Sequence, residues 1–425
     1  MLFLRFLLYV KPCWRTWIGH RIWYVLARAI PGEAAHSIYP LMNRWVDIID
    51  YHCSLLADKA RTQSYRRAIF ETVKAGDIVL DLGTGTGILA FFACQAGAQR
   101  VYAVEQCEIV EVAKEVCRKN GFADRVIFFR EPSYRVALPE KVDVLLTETV
   151  GNFGLEEGIL GLIIDARKRL LKKNGAIIPR SIQLFIAPVE CSEAYQKIDT
   201  CNSDLYGVDF SPMRSYAVNN FYPVVLEPRF LLGDPVALLP ITFSDLETTD
   251  VRNEVSLTAK RRGVLHGIGG WFALELARDL FLSDAPPLAT PNWAHAFFPL
   301  EQPVSLEQGD RLRVTICSAD NGGLWRWQVQ VGDKPGGKLP ERTARFDHST
   351  FLGFPLSHDK LRKAASSYAP KLSRRGEAEF FLLSLFDGEK TIRGLEKEIL
   401  DRYPDCFSSL QESSMFVRKV VASYT

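Results

Sequence analysis

Two groups of residues in this chain have the types and spacing for chemistry. The first is Val79-Leu80-Asp81-Leu82-Gly83-Thr84-Gly85-Thr86-Gly87, an apolar run closing on an acid, then a turn with glycine at every second position. Glycine permits backbone torsions that a Cβ forbids and lets the main chain approach a ligand closely. A helical pattern from Ile88 adds amide donors at its N-terminus. A dinucleotide site prefers G-x-G-x-x-G. The spacing here is G-x-G-x-G with an acid two residues before the first glycine, which suits S-adenosyl-L-methionine, whose amino-acid end is zwitterionic and carries no pyrophosphate. Glu105, 20 residues after Gly85 at the end of the next apolar run, is placed to accept hydrogen bonds from both ribose hydroxyls. The competing reading is a structural turn with a surface glutamate.

The second group is Thr147-Glu148-Thr149-Val150-Gly151-Asn152-Phe153-Gly154-Leu155-Glu156-Glu157. Ligands bind beyond the carboxyl ends of parallel strands, so Glu148 projects towards the cofactor. Gly151 and Gly154 allow the loop to fold back and return a second carboxylate to the same place. Paired carboxylates hold a guanidinium by charge-assisted hydrogen bonds and orient one nitrogen lone pair at a methyl donor. On the residues alone an alternative stands beside this: Glu148 as a strand-end surface residue, and Glu156-Glu157 as acids favoured at a helix N-terminus.

The elements that must position these groups follow from pattern. Residues 32–76 read as helical. Ile78–Leu82, Val101–Val104, Val126–Phe129 and Val142–Thr147 are short β-branched or aromatic runs, with helices Ile88–Gln95 and Glu108–Asn120 between the first three. That alternation specifies a parallel sheet covered by helices. After Pro179, strand-like runs dominate: Ser181–Pro188, Val236–Phe243, Asn253–Ala259, Val264–Leu276, Ala294–Leu300, Arg311–Ile316 and Leu324–Val331, with Ser192–Tyr222 as a mixed insertion. An antiparallel barrel or sandwich is expected. Gly332–Pro340 is rich in turn residues, and from Leu356 the pattern is helical again, with Thr391 as N-cap and Ile392, Leu395, Ile399 and Leu400 on one face.

From Tyr51 to about Ile316 the chain resembles the protein arginine methyltransferases. Val79–Gly87 matches the family's first-strand block, and Arg61-Thr62-Gln63-Ser64-Tyr65-Arg66 its Arg-Thr-x-x-Tyr-Arg helix. Thr147–Glu157 matches its double-glutamate loop S-E-W-M-G-Y-F-x-x-x-E, including the nine-residue separation of the glutamates. Gly175–Pro179, Leu205–Asp209 and Phe298–Pro303 match the lead into the barrel, the dimerisation arm and a barrel strand. The resemblance implies methyl transfer from S-adenosyl-L-methionine to an arginine guanidinium. Arg61 would pair with the cofactor carboxylate, and Asp81, Gly83, Gly85 and Gly87 would form the cofactor turn. Glu105 would hold the ribose, and Glu148 and Glu157 would be catalytic. Asp58 matches an acid that pairs with the histidine of a Thr-His-Trp loop. Here that loop is Thr290-Pro291-Asn292-Trp293, so Asn292 stands in the histidine's place and, with Trp293, has a supporting role. Asparagine can hydrogen-bond Asp58 but cannot accept a proton. His295 lies close by, and the structural reading of it is preferred. Thr149 replaces the loop tryptophan, Arg130–Tyr134 lacks the acid expected near the adenine amine, and Trp45–His52 replaces a tyrosine-rich helix.

The expected fold class is α/β plus β. Residues 1–50 form an N-terminal helical segment and 51–179 a Rossmann-like domain. Residues 180–332 form a β-barrel substrate domain with a dimerisation arm at about 192–222, 333–355 a linker, and 356–425 a small helical or winged-helix module. Phe380–Tyr424 resembles the PqqD-type winged helices that hold leader peptides, which implies docking of a peptide by β-augmentation or helix-in-groove contact. The partners expected are an arginine-containing peptide or protein and a second copy of the chain. Free arginine or another small amine as acceptor, and a non-catalytic scaffold that binds the cofactor, are the alternatives.

Composition is that of a folded soluble protein rather than a disordered or fibrous one, with two or three domains expected: 425 residues, 47% hydrophobic, 24% charged. A formal net charge of only +2 gives no case for nucleic-acid binding. Nine scattered cysteines without a CxxC, and seven histidines without an HExxH, argue for a reducing, cytoplasmic setting and against a metal site. Residues 1–31 carry Arg5, Lys11, Arg15, Arg21 and Arg28 and no acid, and no run of about 18 uncharged apolar residues exists. This segment is expected to dock on the catalytic domain, with contact to a membrane surface as the second choice.

Overall fold

The computed structural model describes residues 48–200, 204–287, 292–332 and 344–424. The basic N-terminal segment, Thr290-Pro291 and most of the expected turn-rich break lie outside them. Ile48–Pro355 form one compact unit, and the residues from Leu356 belong to a second. Among the described residues no helix is long and apolar enough to cross a membrane.

The first unit begins with a helix at 48–57 that breaks at Asp58, the N-cap of α1 (Lys59–Thr72). There follow β1 (Ile78–Leu82), α2 (Ile88–Ala96), β2 (Arg100–Val104), α3 (Ile109–Lys119), β3 (Val126–Phe129), β4 (Val142–Thr147), α4 (Ile159–Arg169) and β5 (Leu171–Ile178). The five strands are parallel, in the order β3-β2-β1-β4-β5. The inner strands β1, β2 and β4 are buried almost throughout because helices cover the sheet, whereas the edge strands β3 and β5 are partly exposed; α3, for instance, buries Ile109, Val110, Ala113 and Cys117, spaced to share one helical face. The chain runs outward from β1 to β2 and β3 and then returns to β4 on the other side. That reversal opens a crevice at the carboxyl ends of β1, β2 and β4, where Asp81, Glu105 and Glu148 stand.

The second half is antiparallel. β6 (Ser181–Val189) is followed by α5 (Ser192–Asp199), a hairpin of β7 (Asp204–Leu205) and β8 (Val208–Asp209), and α6 (Arg214–Ala217). Next come β9 (Tyr222–Val224), β10 (Val236–Ala237), β11 (Ile241–Thr242), β12 (Val251–Thr258), β13 (Gly263–Ala277) and β14 (Leu280–Ser283). The remaining strands are β15 (His295–Leu306), β16 (Arg311–Ala319), β17 (Leu324–Val331) and β18 (Ala344–Ser349). One sheet runs β10-β6-β13-β15-β9, with β11 also on β6 and β14 on β13; a second runs β12-β16-β17-β18. Trp325, Trp327, Phe272, Phe297 and Phe298 are fully buried in this half.

Two expectations change, and the helical reading of the terminal module holds. Val236–Phe243 is not one strand but two pieces on β6, because Pro240 has no N–H to donate and the amide of Leu239 turns to Asn253 Oδ1 at 2.8 Å. The expected linker 333–355 contains a strand: β18 pairs with β17 and buries Phe346 and His348, so the barrel domain extends well past residue 332. The terminal module is helical, with α7 (His358–Ala364), α8 (Arg374–Ser384), α9 (Ile392–Arg402) and α10 (Leu410–Tyr424), and its described residues contain no β-wing to support docking by strand addition. It has its own core of Ala378, Leu382, Leu395, Ile399, Phe416 and Val417, and Thr391 caps α9 as expected, its Oγ1 accepting from the Gly394 amide at 3.3 Å.

Candidate active site

The crevice holds a cavity of about 590 Å³ whose lining includes Arg61, Gly83, Gly85, Glu105, Glu148 and Glu157. Six of the expected site residues therefore meet in one place, brought there by four separate stretches of chain.

The glycine turn is built from within. Gly83, Gly85 and Gly87 have φ of 72°, 53° and 87°, where L side chains are strained. A Cβ on Gly85 would lie 2.9 Å from His52 Cε1, and one on Gly83 would lie 3.0 Å from Thr149 Cγ2. Glu105 ties the turn to β2: its Oε2 accepts from the Gly85 amide at 3.1 Å and its Oε1 from the Cys107 amide at 2.9 Å. Asp81 and Gly87 do not line the cavity. Asp81 is fully buried beneath the turn, its Oδ2 accepting from Thr84 Oγ1 at 2.5 Å and from the Ala90 amide at 3.1 Å. Burial pushes its carboxyl up to about 7, against the opposing effect of those two hydrogen bonds. Both residues shape the turn rather than touch what sits on it.

Arg61 rises from α1 with its side chain only 7% exposed. It donates to Leu55 O at 3.0 Å and pairs with Glu148 through Nη1 and Oε2, while its Nε is buried without a protein partner. Asp58 anchors this corner: its Oδ1 accepts from the Arg61 amide at 3.0 Å and its Oδ2 from Asn292 Nδ2 at 3.1 Å. The Asn292–Asp58 contact expected from the sequence is thus present. Trp293 supports the double-glutamate loop from behind, donating from Nε1 to Val150 O at 3.1 Å. His295 is fully buried; its Nδ1 accepts from the Leu226 amide at 2.8 Å and its Nε2 lies 2.7 Å from Asp284 O. Both ring nitrogens are occupied by backbone and burial lowers its pKa, so it is a neutral structural histidine.

The adjacent acids Glu156 and Glu157 separate. Glu156 turns into the loop, its Oε1 accepting from the Phe153 amide at 2.8 Å, and a Cβ on Gly151 would collide with its Oε2 at 2.4 Å. Glu157 lines the cavity together with Glu148. Burial raises the carboxyls of both; that of Glu148 reaches about 8, with Arg61 opposing and Glu157, Asp58 and Asp81 adding to the rise.

Several lining residues were not singled out as site residues. Ile48, Tyr51, His52 and Leu55 reach the cavity from one face of the 48–57 helix, and their three- and four-residue spacing was the available signal. Tyr51 has its phenol raised by burial and by Glu157 and Glu148. Glu131 lies in the segment read as lacking an acid at the adenine end, yet it lines the cavity.

The chain as a whole is similar to known proteins. Residues 180–327 match the model of the arginine methyltransferase oligomerization subdomain, and residues 61–182 match that of ribosomal protein L11 methyltransferase. The chain is 30% identical to protein arginine N-methyltransferase 2 of Xenopus tropicalis over 296 residues, covering 66% of this chain and 68% of that one. It is 32% identical to protein arginine N-methyltransferase 6 of Xenopus laevis over 288 residues, covering 64% and 85%. Among solved structures, the Trypanosoma brucei PRMT1 enzyme–prozyme heterotetrameric complex with AdoHcy superposes with a TM-score of 0.63 at 23% identity, over 70% of this chain and 97% of that one. Arabidopsis thaliana protein arginine methyltransferase 10 superposes with a TM-score of 0.62 at 24% identity, over 71% and 99%.

Proposed function

The chain belongs to the protein arginine N-methyltransferases, S-adenosylmethionine-dependent enzymes of arginine, and on that premise we propose that Glu148 and Glu157 clamp the acceptor guanidinium and take its proton. The observation that supports this is the return of Glu157, nine residues along the loop from Glu148, to the cavity that also contains Gly85 and Glu105. The residues present fit the cofactor. Arg61 keeps a buried donor at Nε without a protein partner, suited to a carboxylate. Gly83 and Gly85 let the main chain approach closely, and Glu105 stands at the end of β2 for the ribose hydroxyls. When bound, S-adenosylmethionine supplies an electrophilic methyl group.

The chain's own residues then have three tasks. Two carboxylates in a mostly buried site hold the planar guanidinium, with hydrogen bonds much stronger than in water. They aim one nitrogen lone pair along the line of transfer. With the cofactor bound, the methyl group's bond to sulfur would break, leaving its electron pair on sulfur, as the nitrogen–carbon bond forms, and the nitrogen's proton would pass to a glutamate oxygen. Asn292 holds Asp58 and accepts no proton, so relay through a Thr-His-Trp-type histidine has no place here.

The acceptor we propose is arginine within a protein or peptide. Mass spectrometry after incubation with labelled cofactor, with free arginine and arginine peptides side by side, tests it. Label should appear on guanidinium nitrogens of the peptide; rapid labelling of free arginine with none on any peptide would overturn the assignment.

We also propose that residues 192–222 form an arm that packs on a second copy. Tyr206 at the hairpin tip is fully exposed, and Val208, Met213 and Tyr216 nearby are more than two-fifths exposed. An apolar, outward-pointing tip of this kind favours a partner surface. Light scattering should give a dimer at micromolar concentration, and Tyr206→Asp should shift it towards monomer; a monomeric parent protein would refute the arm.

A further inference from the structure

We infer that the barrel turn Asp320–Gly322, acting through Asn321, sets where Glu157 enters the catalytic cavity. This rests on the proposed role of Glu157. The helix that follows the double-glutamate loop, α4, starts badly by itself: its N-cap is Gly158, at φ 79°, with no side chain to accept from the first turn. A Ser, Thr, Asp or Asn at the N-cap accepts through its side-chain oxygen from the amide two or three positions on. Here that oxygen comes from another domain. Asn321 Oδ1 accepts from the Gly161 amide at 2.7 Å, the third residue of the helix and 160 residues away in sequence. The same side chain donates from Nδ2 to Gly158 O at 3.0 Å.

The fit is close on every side. A Cβ on either Gly158 or Gly161 would lie 2.8 Å from Asn321 Nδ2. Asn321 itself is held in the left-handed region at φ 54°, ψ 39°. Next to it, Gly322 at φ 89° leaves no space for a Cβ, which would fall 2.0 Å from Leu155 O. The turn therefore presses on Leu155 and bonds to Gly158, the two residues that flank Glu156-Glu157. The other limb of the loop is held differently, by Trp293 Nε1 on Val150 O, by the Ala294 amide on Asn152 Oδ1 at 2.9 Å, and by Phe153 packed against Phe298 and Trp325. Glu148 follows from the sheet, whereas Glu157 follows from the barrel. Asn321 is thus a positioning residue: it is not among the residues that line the cavity and acts by borrowed helix capping.

Asn321→Gly removes both hydrogen bonds and suits the positive φ, so the backbone conformation is retained. Misplacing a catalytic group by about 1 Å can cost roughly 100-fold in rate. On the peptide found by mass spectrometry, kcat should fall about tenfold or more, while the dissociation constant for S-adenosylhomocysteine by calorimetry stays within about twofold of the parent's. Asn321→Asp keeps an acceptor for the Gly161 amide and loses the donor to Gly158 O, and should give an intermediate kcat. A kcat for Asn321→Gly equal to the parent's, or a fall in product-analogue affinity parallel to the fall in kcat, would overturn the inference. If Asn321→Gly does not fold, Asn321→Asp decides: a kcat equal to the parent's refutes the clamp. A parent protein inactive on every arginine substrate would instead count against the proposed function itself.

Discussion

Glu157→Gln is expected to lower methyl transfer about 10²–10⁴-fold while leaving affinity for S-adenosylhomocysteine nearly unchanged, because it removes a charge and a proton acceptor but almost no volume. Glu148→Gln should lose a similar factor and should also disturb the cofactor, since Glu148 pairs with Arg61, which is proposed to hold the cofactor carboxylate. Glu156→Gln is the internal control. Glu156 is as acidic and as close in sequence, but its carboxyl is spent on the Phe153 amide inside the loop. It should alter stability rather than the chemical step. Single-turnover rates with labelled cofactor and calorimetric titration of S-adenosylhomocysteine separate the three. Rates within about twofold of the parent for both Glu148→Gln and Glu157→Gln would sink the two-carboxylate mechanism.

That contrast between neighbours shows where reading the chain runs out. The parallel sheet was legible because β1 to β4 are short β-branched or aromatic runs separated by glycine, acid and helical patterns, and each lies within a residue of its expected bounds. The cofactor turn was legible for a local reason: a G-x-G-x-G spacing imposes positive φ whatever surrounds it. Glu157 rather than Glu156 was named only through the family's nine-residue spacing; the residues alone leave it open, because the answer depends on the space that Gly151 leaves for one carboxylate. β18 was missed since it follows a turn-rich stretch and buries a histidine and a phenylalanine, with Asp347 between them bound outward to Arg326. Asn321 carried no signal at all. Its task is defined by Gly158 and Gly161, and nothing local to Ala319–Gly323 points to them. Tertiary contacts between distant segments decide such cases, and they leave no periodicity behind.

The protein should lose stability as pH rises from 6.5 to 8.5, the opposite of what salt-bridged carboxylates give. Asp81, Glu156 and Asp284 share one arrangement: a carboxyl oxygen that accepts from a backbone amide, and a second oxygen buried with no partner. An unpartnered oxygen in a low-dielectric interior favours the protonated form. Burial pushes these groups up to about 7, 7 and 8. A carboxyl whose pKa is raised in the folded state binds its proton more tightly there than in the unfolded chain. Its contribution is complete below the unfolded pKa and is lost as pH climbs through the folded one. Half-buried His52 and buried His266, His295 and His348 have lowered pKa values and act in the opposite sense, but only below their unfolded value of 6.5. Above it the carboxyls act alone. Across this window they should remove a few kcal/mol, or roughly 5–10 °C in Tm for a unit of this size. Differential scanning calorimetry at fixed ionic strength measures the slope. Asp81→Asn mimics the protonated acid and should flatten the slope while leaving Tm at pH 6.5 close to the parent's. A Tm that is level or rising over the window would show that these acids are ionised in the fold, and that the interior beneath the cofactor turn is wetter than its packing indicates.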